Sequence, residues 1–175
     1  MREIEASEVI RDLKNVLKND YKTTEEWLLF YEERKKDYYE NVKYIDDRSP
    51  RHDLSRLGAG HSSWTEYKIV QLGNLEHEEK WLLTVELIES ILDTEGKMLL
   101  KIRRQAARKS RQLQEKGEKK LNWITYVQQK YALCMANDNI RNKDKYFLSE
   151  RTIIARWKKI VRITQMIAMK RKCVF

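Results

Sequence analysis

The sequence predicts an all-α fold, and three observations carry that expectation. Gly and Pro are scarce, five and one in 175 residues, against an ordinary share of roughly 12% for the pair. Sandwiches, barrels and doubly wound folds need many tight turns and are disfavoured on that ground. Apolar residues recur at helical spacing in nearly every segment, and two capping boxes mark helix starts. Five Trp, nine Tyr and three Phe supply apolar mass for a core, so wholesale disorder is not expected.

The elements follow in order. Val9, Leu13, Val16 and Leu17 predict a first helix over residues 3–18. A second opens at Thr23 as N-cap with Glu26 three positions on, and carries Trp27, Phe30, Tyr31, Tyr38, Val42 and Ile45 on one stripe. It ends near Asp46-Asp47, because Ser49-Pro50 disfavours helical continuation. Residues 48–62 hold Pro50, Gly58 and Gly60 and read as an exposed, mobile linker. A third helix starts at the Ser63–Glu66 capping box, with a break expected at Gly73-Asn74. From Trp81 the steps become 4-3-4-3: Trp81, Val85, Ile88, Leu92, Glu95, Leu99, Ile102, Ala106, Lys109, Leu113. Such a seam suits a long helical hairpin, bent at Asp93-Thr94-Glu95-Gly96, or a dimeric coiled coil. Gln114 to Lys120 is a polar connection, and Trp123, Ile124, Val127, Tyr131, Cys134 and Met135 mark the next helix. Asn137-Asp138-Asn139 ends it, and a last helix begins at Ser149.

The net charge of +9 hides a split. Residues 1–96 hold 14 Lys and Arg against 22 Asp and Glu, a balance of −8; residues 97–175 hold 22 against 5, a balance of +17. Such asymmetry points to an anionic partner for the second half, nucleic acid before membrane. The acidic half either holds a protein partner or competes with DNA for the basic half. Little else carries chemistry. His52, His61 and His77 are isolated, and the two Cys are 39 positions apart, so no zinc spacing arises. No phosphate loop, nucleophile elbow or Cys/His pair appears. Glu76, Glu78 and Glu79 read as a solvated face and Cys134 as a core thiol. Neither an enzyme nor a cofactor is expected. No apolar run approaches the ~18 residues of a membrane span, and Met1-Arg2-Glu3-Ile4-Glu5 does not resemble a signal peptide. A reduced, cytoplasmic protein is expected.

The last helix is the informative one. Ser149 is placed to cap it, and Leu148 and Ile153 sit at the positions of a hydrophobic staple. Ile153, Ile154, Trp157, Ile160, Val161 and Ile167 form an inward face; Arg151, Thr152, Ala155, Arg156, Lys158, Lys159 and Arg162 form the other. One side packs on the 121–135 helix while the other fits a DNA major groove. Arg151, Thr152 and Arg156 then read bases, and Lys158, Lys159 and Arg162 hold phosphates. Arg103, Arg104, Arg108 and Lys109 offer a second DNA contact. The chain divides into N-terminal helices (1–47), the linker (48–62), a long helical region (63–116) and a helix-turn-helix (117–175).

Leu148-Ser149-Glu150-Arg151-Thr152, followed by a basic helix with Trp157, resembles the recognition-helix end of RinA/ArpU-type phage late-transcription activators. It is also similar to the helix-turn-helix of sigma-factor region four, with Trp123 to Met135 as the supporting helix. The segment from Gly60 through Trp64 to Leu92 also resembles the midsection of small phage activators from Gram-positive hosts. The resemblance implies double-stranded DNA as partner upstream of late phage genes, action on the host RNA polymerase inside the bacterial cell, and a monomer or homodimer. One departure stands out: eleven residues, Asp138 to Leu148, separate Asn137 from Ser149, where three or four are usual. An extra helical turn over Ile140 to Lys145, or a winged or extended variant, would accommodate them. A small terminase-like DNA-packaging protein and a helical protein-binding scaffold are the rival readings.

Overall fold

The computed structural model describes residues 2–47, 61–136 and 144–174. They form α1 (Arg2–Leu29), α2 (Tyr31–Asp47), α3 (His61–Ile91), α4 (Thr94–Glu115), α5 (Trp123–Met135) and α6 (Glu150–Lys170). A 3-10 turn spans 144–146, and there is no strand among the described residues. The all-α expectation holds. The expected linker lies outside the described residues up to 60, as do the turn at 137–139 and positions 140–143 of the extra turn.

Several expected boundaries move, each for a visible reason. The capping box at Thr23 does not form: α1 runs straight through it to Leu29. Thr24 Oγ1 instead donates back to the Asp20 carbonyl at 2.7 Å, inside a stripe that continues to the buried Trp27 and Leu28. Burying two large side chains outweighs a cap, which contributes about 1 kcal/mol. The real discontinuity is a bend at Phe30. Phe30 N–H still donates to the Glu26 carbonyl and Arg34 N–H to the Phe30 carbonyl, each at 3.0 Å. Likewise α3 is continuous across Gly73-Asn74 and begins at His61, two residues ahead of the expected cap at Ser63. A lone helical Gly costs about 1 kcal/mol relative to Ala, less than the burial of Leu75, Trp81 and Val85 further along returns.

The seam does split where expected. Asp93 caps α4, its Oδ1 accepting from Gly96 N–H at 2.7 Å. A Cβ at position 96 would lie 2.8 Å from that same oxygen, so a larger residue there would have to displace the capping carboxylate. On the two sides of the split, Trp81, Val85 and Ile88 and then Leu99, Ile102 and Ala106 are buried within the chain. One apolar core draws on all six helices. Trp27 stacks on Trp81, centroids 5.4 Å apart and planes 6° from parallel. Val127 and Tyr131 of α5 and Ile153, Trp157, Ile160 and Val161 of α6 join the same core.

α6 lies deeper than a helix resting on one partner. It packs on α1 and α3 as well as α5, and touches α4. Ile153, Trp157, Ile160, Val161, Thr164 and Ala168 are buried along it. The α4 and α6 C-termini close in the same way. Glu118 N–H donates to the Leu113 carbonyl around Gly117 (φ 71°), and Cys173 N–H to the Ala168 carbonyl around Lys172 (φ 57°), both at 2.8 Å.

Candidate nucleic-acid interface

α6 starts as the sequence suggests. Ser149 Oγ accepts from Thr152 N–H at 3.2 Å, and Ile153 is fully buried with Leu148 packed against the core. Gln128 of α5 donates to the Leu148 carbonyl at 3.0 Å, tying the approach to α6 onto α5. The buried residues fall on one side of the wheel. The other side, Arg151, Ala155, Lys158, Lys159 and Arg162, is exposed. Further along, this exposed stripe turns apolar at Met166 and Met169.

The six residues expected to touch DNA do not share one environment. Arg151, Lys158, Lys159 and Arg162 are exposed on the stripe. Thr152 is half-buried, and its hydroxyl lies 2.8 Å from Ser149 Oγ within the cap. Arg156 is turned aside: its Nη1 donates to Glu95 Oε2 at 2.6 Å and to Tyr131 Oη at 3.3 Å. Arg156 sits on the flank of α6 that faces the α3–α4 turn. It lines a cleft there with Asp93, Leu99 and Lys159.

The second group, Arg103, Arg104, Arg108 and Lys109, divides more sharply. The Arg103 side chain is only 11% exposed, 3.6 Å from Glu25, with its guanidinium 4.2 Å from the Trp123 ring and 5.4 Å from the Trp157 ring. Burial pushes its pKa down from the ordinary Arg value, against the opposing pull of Glu25 and Tyr21; it stays charged. Arg104 is 12% exposed, paired with Glu89 and donating to the Leu28 carbonyl at 2.7 Å. These two guanidinium groups hold α4 to α1 and α3 and are not presented to solvent. Arg108 is half-exposed, 3.8 Å from Glu33, and Lys109 is exposed with its Nζ 5.6 Å from the Tyr126 ring centroid. Carboxylates of the acidic half thus pair with these cations of the basic half within the same chain.

Two exposed cations of α4 were not singled out by sequence: Lys97 and Lys101. The signal was present. Lys97, Lys101, Gln105, Arg108 and Gln112 share the helical phase opposite the buried Leu99, Ile102 and Ala106. Counting positive residues hid that phase, because Arg103 and Arg104 sit among them on the inner side. No family model, curated protein or solved structure matches this chain. No helix of the described residues is long and apolar enough to cross a membrane.

Proposed function

We propose that this chain binds double-stranded DNA through the exposed stripe of α6. As its resemblance to RinA/ArpU-type proteins implies, it then activates late phage transcription with the host RNA polymerase. One observation carries the DNA reading: a capped helix whose Arg151, Lys158, Lys159 and Arg162 line a single exposed stripe, back to back with a fully buried apolar face. Among the described residues no carboxylate pairs with any of the four, so each is available to a phosphate or a base edge. Together, α5 and α6 form the helix-turn-helix in this reading, with an extended connection that includes the 144–146 turn. Arg151, nearest the N-terminus, is the residue for base contact. The three later cations hold phosphates. Arg156 drops out of the base-reading set while Glu95 holds it.

The test is duplex binding measured by fluorescence anisotropy at several salt concentrations, after selection of a preferred site from random DNA. Lys158→Ala and Lys159→Ala should weaken all sequences alike, each reducing the salt slope by about one unit. Arg151→Ala should instead flatten the preference for the selected site. Binding that none of the three changes would remove α6 from the DNA.

A further inference from the structure

The molecule carries two exposed basic stripes, and they point in opposite directions. On α6 the stripe is that of Arg151, Lys158, Lys159 and Arg162. On α4 it is Lys97 and Lys101, with the half-exposed Arg108, paired with Glu33, at its edge. The exposed Lys116, Lys119 and Lys120 follow at the helix end and in the connection beyond it. The two helices meet through sides that face largely away from these stripes; of the stripe residues, Lys159 borders the cleft between them. Arg103 of α4 lies over Trp157 of α6 at 5.4 Å, Leu99 and Ile160 line one cleft between them, and Glu95 pairs with Arg156 at 2.6 Å. At 100° per residue, Lys97, Lys101 and Arg108 fall about half a turn from Leu99 and Arg103. Lys158 and Arg162 likewise fall about half a turn from Ile160.

Packed helices lie about 8–10 Å apart, and each adds a side-chain shell of roughly 5 Å. The stripes are thus roughly 20 Å apart across the molecule. A duplex seated on α6 does not reach α4. At physiological salt the screening length is about 8 Å, so the two positive faces neither repel one another strongly nor act as one. Among the described residues Lys97 and Lys101 have no ion-pair partner, whereas Arg104 and Arg111 of the same helix are held by Glu89 and Glu33. Lysines left open at one-turn spacing suit a phosphate backbone, which needs point charges at intervals and no base geometry.

We infer that the α4 stripe is a second DNA-backbone surface, so that one copy of the chain holds two duplex segments on opposite faces. This rests on the α6 reading for the first segment and adds the second. A duplex carrying the selected site is fixed to beads, the full-length chain is added at about 0.15 M salt, and capture of a fluorescent second duplex is measured. Wild-type protein should retain the second duplex. Lys97→Glu/Lys101→Glu should reduce that capture at least about fivefold while changing affinity for the fixed duplex less than about twofold. Its melting curve should match wild type, since both lysines are exposed. No capture by the wild type overturns the inference. So does capture undiminished by the α4 change, which is the result expected if a dimer bridges through two α6 stripes; sedimentation at the same concentration identifies that case. Lys158→Glu/Lys159→Glu reports on the first segment separately: unchanged binding to the fixed duplex sinks the α6 reading, not the α4 one.

Discussion

α4 and α6 are nearly equal in length, 22 and 21 residues, and both are amphipathic and rich in Lys and Arg. Their charges are used differently. α4 turns Arg103 toward Glu25, Arg104 toward Glu89, and Arg108 and Arg111 toward Glu33, and Arg111 lies 3.9 Å from the Phe30 ring centroid. Among the described residues α6 gives up only Arg156, to Glu95, and keeps five cations in solvent, four of them on the stripe and Lys170 at the helix end. α4 lies against the acidic α1–α3 half, where planar guanidinium groups can both pair with carboxylates and stack on rings. The α6 stripe faces away from that half. Hence a balance of +17 over residues 97–175 overstates the charge offered to a partner. Among the described residues five of its arginines, Arg103, Arg104, Arg108, Arg111 and Arg156, bind the two halves of the chain together.

The contrast can be broken first where the two helices meet. Trp157 is buried and its Nε1 donates to Glu25 at 2.7 Å. Trp157→Ala should therefore destabilise by about 3–5 kcal/mol, read by thermal denaturation. Arg103→Ala leaves Glu25 without its cation and opens the space between Trp123 and Trp157; a loss of about 3 kcal/mol is expected. Lys101→Ala, two residues away on the outer face, should stay within about 0.5 kcal/mol of wild type. Equal melting temperatures for these two variants would erase the inward–outward distinction.

The remaining tests are finer. The two C-terminal turns share one hydrogen-bond pattern, but Gly117 fills the left-handed position in one and Lys172 in the other. Lys172→Gly should stabilise by about 1 kcal/mol, since a side chain with φ 57° is strained. In the acidic half, Lys35 and Tyr31 donate to Glu86 Oε1 at 2.8 and 2.7 Å. The Lys35 hydrogen bond first, then that of Tyr31, holds the Glu86 carboxyl below its usual value. A depressed folded pKa makes a contribution that is complete above the ordinary carboxylate range and lost as pH falls through the lowered value. With Glu86 43% exposed, that contribution should stay below about 1 kcal/mol. Melting curves of wild type and Glu86→Gln should converge as pH drops from 7 toward 3.

Local sequence was enough for whatever depends on near neighbours along the chain. The helical class, the split of the seam at Asp93–Gly96, the Ser149 cap and most of the two faces of α6 could be read from periodicity and capping residues, because i, i+3 and i+4 positions meet whatever else surrounds them. Ile154, expected on the inward face, instead borders the exposed stripe beside Arg151 and Lys158. Thr23 shows where that stops: its capping box is a sound local signal, overridden by Trp27 and Leu28 finding Trp81 more than fifty residues away. The fate of the cations shows it again. Arg103, Arg156 and Lys158 are alike as sequence, and only the approach of Glu25, Glu95 or nothing at all separates them. A charge is committed or free according to what packs within a few ångströms of it, and those neighbours come from other helices.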